Sequence, residues 1–100
     1  RLGAVDRMFM TAVAGDCMEP LLKGGDLLLV DSSRRDLRPG AIHVLAMGGG
    51  LVERRVDVAV DGLSLQCENP SYPRLTVPSE NVPGLHVLGR VIWAGKCFLP

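Results

Sequence analysis

Short apolar runs, each closed by Gly, Pro, Asp or Ser, recur along the whole chain and set its predicted architecture. They place strands at 7–14, 26–31, 41–47, 51–60, 63–67 and 85–94. Glycine and proline supply 12 and 7 residues and interrupt every candidate helical period, so helix is the minority state. Met18-Glu19-Pro20-Leu21-Leu22-Lys23 has room for a turn or two of helix before Gly24-Gly25 ends it. Asp36 to Gly40 reads as a turn, and Cys67 to Pro83, rich in Asn, Pro and Ser, as a long irregular connection. The expected fold is mainly β, compact, with short helical turns.

The alternation is clearest around Asp61-Gly62. Val56, Val58 and Val60 alternate with Asp57, Ala59 and Asp61, and Leu63, Leu65 and Cys67 alternate onward. Asp-Gly is the preferred pair for a type I′ turn, which would pair Val60 with Leu63, Val58 with Leu65 and Val56 with Cys67. These six would then share one buried face. Glu53, Arg55 and Asp57 would point the other way, with Glu53 and Arg55 forming an exposed ion pair.

Length and composition narrow the picture. One hundred residues, 47% of them hydrophobic, build a single domain over 1–100. The longest apolar runs, such as Leu27-Leu28-Leu29-Val30, are far shorter than the roughly 18 residues of a membrane span, so no membrane partner is expected. Because the chain begins at Arg1 rather than Met, an upstream domain is expected to be missing. Eleven basic and eleven acidic side chains cancel, which argues against direct DNA contact by this piece. The cysteines Cys17, Cys67 and Cys97 are odd in number and lack CxxC spacing. They read as free thiols in a reducing cytoplasm, with neither a metal nor a cofactor.

The loop Gly15-Asp16-Cys17-Met18-Glu19-Pro20 puts a small nucleophilic residue between a strand and a helical turn, near backbone amides able to hold an oxyanion. With Lys23-Gly24-Gly25-Asp26-Leu27-Leu28-Leu29-Val30-Asp31, it resembles the G-D-S-M-x-P and G-D-x-x-x-V-D segments of the self-cleaving repressor peptidases. These are the C-terminal domains of LexA-type and phage CI-type repressors, the S24 peptidase family. The likeness continues through Leu51-Val52-Glu53-Arg54-Arg55, against the family's V-K-R motif, and through Glu68-Asn69-Pro70-Ser71-Tyr72-Pro73. It ends at Leu88-Gly89-Arg90-Val91-Ile92-Trp93, against the closing G-R-V strand.

The resemblance implies a LexA/signal-peptidase-like β fold that cuts a peptide in its own upstream linker, using a serine nucleophile and a neutral lysine as base. It implies a homodimer carrying N-terminal helix-turn-helix domains that bind operator DNA, with a RecA-type inducer or an antirepressor as trigger. Val91 and Trp93, on the closing strand, are the expected dimer-interface residues; Trp93 is the stronger anchor because aromatics concentrate binding energy.

At the two catalytic positions the sequence departs from the family. Cys17 stands at the serine position and Glu53 at the lysine position. Thiol for hydroxyl is tolerable; carboxylate for amine is not. Two like charges about 4 Å apart at an effective dielectric of about 20 repel by roughly 4 kcal/mol, so an ionised Glu53 opposes a Cys17 thiolate. Lys23 and Lys96 lie outside the motif, and His43 and His86 sit within apolar strands. The expected function is a dimerisation and regulatory domain of a phage-type repressor with a degenerate cleavage site. The competing expectation is an active self-cleaving peptidase that uses Cys17 with an unrecognised base. A type I signal peptidase, which shares the S-M-x-P loop, is disfavoured by the absent anchor and lysine.

Overall fold

A computed structural model of the chain describes residues 7–96. Cys97, one of the three expected free thiols, lies outside them. Seven strands form one antiparallel sheet: β1 (Met8–Ala12), β2 (Leu27–Asp31), β3 (Ile42–Met47), β4 (Gly50–Ala59), β5 (Gly62–Gln66), β6 (Leu75–Pro78) and β7 (His86–Gly95). Their spatial order is β1-β2-β7-β3-β4-β5-β6, so the last strand is inserted centrally between β2 and β3. The six expected strands are all present. The seventh, β6, lies within the expected irregular connection and is followed by a 3-10 helix, Ser79–Gly84.

The sheet is covered on different faces at its two ends. One cluster packs Val13, Met18, Leu22, Leu28, Val30 and Val44, with Val91 and Leu88 against it. A second packs Val56, Leu65 and Val77, with Leu37, Met47, Leu63, Val82 and Leu85. In β3 the neighbours Val44 and Leu45, which point to opposite faces, are both fully buried. Each such aliphatic side chain contributes roughly 1.5–3 kcal/mol by leaving water.

Two bulges shape β7. Leu88 is the extra residue where Val44 pairs with Gly89 and Leu45 with Val87, and Ile92 where Val30 pairs with Val91 and Leu29 with Trp93. The second bulge reverses the facing of the strand. Val91 therefore shares the buried face of Val30 and packs against the first cluster, which corrects the expectation that it joins Trp93 at an interface; Trp93 lies with Leu29 and Met10 on the other side and is 52% exposed. Gly89 is required by packing, since a Cβ there would overlap the Asp31 carbonyl and Val30.

The β4–β5 hairpin corrects the expected register. Ala59 pairs with Gly62, Val58 with Leu63 and Val56 with Leu65, so the two-residue turn is Val60-Asp61 rather than Asp61-Gly62. No residue of that turn has positive φ, which excludes type I′. Gly62 serves a different purpose: a Cβ there would collide with the Val77 carbonyl of β6. Val56 and Leu65 are buried as expected, but Val58 and Val60 extend beyond the second cluster into solvent.

Candidate functional site

The loop bearing Cys17 is built by hydrogen bonds that turn the chain from β1 into β2. Val13 N–H donates to the Asp26 carbonyl at 2.8 Å and Gly25 N–H to the Val13 carbonyl at 2.9 Å. Between these anchors, Gly15 and Gly25 take φ of 77° and 90°, which glycine adopts at little cost. Leu22 N–H donates to the Met18 carbonyl at 2.8 Å, a single helical turn. Met18 is wholly buried in the first cluster and pins the loop to the core. Asp26 closes the segment: its carboxylate accepts the Lys23 N–H at 2.9 Å and lies 3.6 Å from Lys96 Nζ.

Cys17 is half-buried and disulfide-bonded to Cys67, which follows directly on β5. The pair spans 50 residues of sequence, with Cα atoms 5.2 Å apart, inside the usual range for a disulfide. This corrects the expectation of free thiols at both positions. Spacing alone gave no pairing, because three cysteines allow several and only the fold chooses among them.

The same seam carries polar contacts. Asn69 N–H donates to the Cys17 carbonyl and Asn69 Nδ2 to the Asp16 carbonyl, both at 2.9 Å. The Tyr72 hydroxyl donates to the Asp16 carboxylate, a bond that, with the nearby negative charge, raises the phenol above its ordinary pKa. The segment from Glu68 to Tyr72 thus clamps the loop. Sequence reasoning noted this stretch but assigned it no part in the site.

Glu53 lies in β4 opposite Val44, facing the first cluster with Met18, and is 5% exposed. Burial raises its carboxyl above the ordinary glutamate value, and the Arg54 charge opposes part of that shift. The expected exposed pair with Arg55 is absent: Arg55 instead bridges to Glu68 and donates to the Gly40 carbonyl at 2.7 Å. Glu53 faces away from Val56, as the alternation predicts. That face is itself covered here, because the first cluster lies behind it.

Neither histidine joins the loop. His43 projects to the opposite face from Val44 and Glu53, where Nδ1 lies 3.3 Å from the Ala41 carbonyl and Nε2 lies 3.3 Å from the Arg38 N–H and 3.1 Å from the Asp36 carbonyl. Burial lowers its pKa, and the Asp36 and Ala41 carbonyls oppose part of that shift. It stands in register with Arg90, whose guanidinium reaches the Asp36 carboxylate at 3.2 Å. Arg90 in turn pairs across the sheet with Asp31, whose carboxyl is held below its ordinary value chiefly by the Ser33 hydroxyl and amide and also by Arg34. Asp31, Arg90 and His43 thus lie buried side by side across β2, β7 and β3, each bonded to groups near the sheet rather than to one another. His86 is exposed at the start of β7.

Among the described residues, no group of three or more His, Cys, Asp or Glu is arranged to hold a metal ion, and no helix is long and apolar enough to cross a membrane.

A family model described as Peptidase S24-like matches residues 3–92. The chain belongs to the Peptidase S24-like family. It is also 32% identical over 86 residues to a Haemophilus influenzae protein described as an uncharacterized HTH-type transcriptional regulator. That alignment covers 85% of this chain and 36% of the relative, so the chain spans about a third of the relative's length.

Proposed function

We propose that this domain is the regulatory and dimerisation part of a phage-type helix-turn-helix repressor, working in the cytoplasm, and that it does not cleave itself. The observation that carries the reading is Glu53: a buried carboxyl on the Val44 face of the sheet, the face covered by the cluster that includes Met18, stands at the position where the S24 resemblance calls for a lysine amine. A buried lysine works because desolvation lowers its pKa and frees a neutral base. Burial acts on a carboxyl in the opposite sense, raising its pKa and favouring the protonated form, and when the group does ionise its negative charge opposes formation of a thiolate, where a lysine amine would not.

A domain without cleavage can still act through assembly. Operator DNA would be bound by an upstream helix-turn-helix domain, in keeping with the name of the Haemophilus influenzae relative. Trp93, half exposed beside Leu29 and Met10, is the proposed anchor of the homodimer, with Val91 fixing the strand from its inner face. Pairing two DNA-binding domains raises the effective concentration of the second at its half-site. The trigger is then an antirepressor or RecA-type inducer acting on a site other than the cleavage reaction.

The reading is tested by sedimentation and operator binding of the full-length protein. A dimer that binds operator, both lost together in Trp93→Ala, is the expected result. A monomer that binds operator with unchanged affinity would overturn the assembly role.

A further inference from the structure

We propose that Cys17 and Cys67 form a reversible dithiol–disulfide site whose redox partner is a small anionic thiol and its disulfide, of the glutathione class. The proposal rests on the regulatory reading above for its setting: in the cytoplasm, disulfides of mesophilic proteins are usually transient and redox-sensing rather than structural.

Three features of the seam carry it. The two Cα atoms, 5.2 Å apart, already stand at bridging distance. Hydrogen bonds independent of sulfur hold the two segments together: Asn69 bonds to the Cys17 and Asp16 carbonyls and Tyr72 to the Asp16 carboxylate. Those bonds keep the sulfurs adjacent after reduction, so the bridge closes again without refolding. Finally, Cys67 borders a hollow of about 230 Å³ shared with Gln66, Asn69, Pro70, Tyr72 and Arg74. Its polar lining, with the exposed Arg74 guanidinium, suits the carboxylates of a small thiol peptide.

The exchange balances in two steps. The Cys67 thiolate attacks one sulfur of the small disulfide, forming a mixed disulfide and releasing one small thiolate. The Cys17 thiolate then attacks the Cys67 sulfur and releases the second. The protein gives up two protons and two electrons, and one disulfide becomes two thiols. Oxidation removes the thiol from the nucleophile position and adds a covalent tie between the loop from Ala14 to Pro20 and the segment after β5; reduction returns the thiol while the hydrogen bonds still hold the loop.

The test equilibrates the chain over a series of reduced-to-oxidised glutathione ratios, followed by acid quenching, alkylation and peptide mapping by mass. Two of the three thiols should disappear together in one two-electron transition mapping to Cys17 and Cys67, and Cys17→Ser should trap a glutathione adduct on Cys67. A bridge that persists in reduced glutathione alone, a bridge that involves Cys97, three alkylated thiols at every ratio, or Cys17→Ser without an adduct would each overturn the proposal. Alkylation reads the thiols directly, so these failures leave the regulatory reading standing, whereas self-cleavage by the reduced protein would overturn that reading and leave the bridge intact.

Discussion

Breaking the Cys17–Cys67 bridge should cost stability in proportion to the loop it closes. The bridge spans 50 residues, for which the chain-entropy relation gives about 4 kcal/mol at 25 °C. In a domain of this size 1 kcal/mol corresponds to roughly 4–8 °C in Tm, so Cys67→Ser should melt about 15 °C or more below the oxidised wild type. The seam bonds of Asn69 and Tyr72 survive the substitution, so the native fold is retained. The assay is thermal unfolding followed by circular dichroism, with wild type in oxidising buffer, wild type with a phosphine reductant, and Cys67→Ser in both. Reduced wild type and Cys67→Ser should coincide, with the variant insensitive to reductant. Equal Tm values for oxidised wild type and Cys67→Ser would refute the reasoning.

Other consequences follow from single residues. Glu53 has a carboxyl pKa raised above the ordinary 4.5 by burial, so the folded chain holds its proton more tightly than the unfolded chain. Its contribution therefore favours the fold at low pH and is lost as pH rises through the raised value; Glu53→Gln should gain stability relative to wild type from pH 4 to pH 7, measured by urea unfolding, and a constant difference would contradict this. Gly62→Ala should lose about 1–3 kcal/mol because the added methyl meets the β6 backbone, whereas Asp61→Ala, in a turn without positive φ, should change stability by less than about 0.5 kcal/mol. Trp93→Ala should weaken the dimer by about 30-fold or more if Trp93 is a central anchor worth about 2 kcal/mol, read by sedimentation across a concentration series.

Much of the fold is legible in the sequence because alternation and Gly/Pro punctuation locate strands well. The six expected strands differ from the observed ones by only a residue or two at most ends. β6 escaped because Leu75-Thr76-Val77-Pro78 buries only Val77 and stands among prolines that speak against a strand. The hairpin slipped because Asp61-Gly62 carries a strong turn signal, while the glycine is needed for the close approach of β6. The environment of Glu53 was misread for a different reason. Period-two alternation tells which residues share a face, but whether that face meets water depends on what packs behind it, and here the segment around Met18 does. The Cys17 loop was visible as a motif, whereas its partner Cys67 depended on a contact across 50 residues.

The central claim is that the S24 framework is retained here without its cleavage chemistry. It is tested most directly by incubating the full-length protein, reduced so that Cys17 is free, at neutral and alkaline pH and following fragments by intact mass. The account predicts a single uncut species at every pH. Two fragments that appear with rising pH and vanish in Cys17→Ala would contradict it.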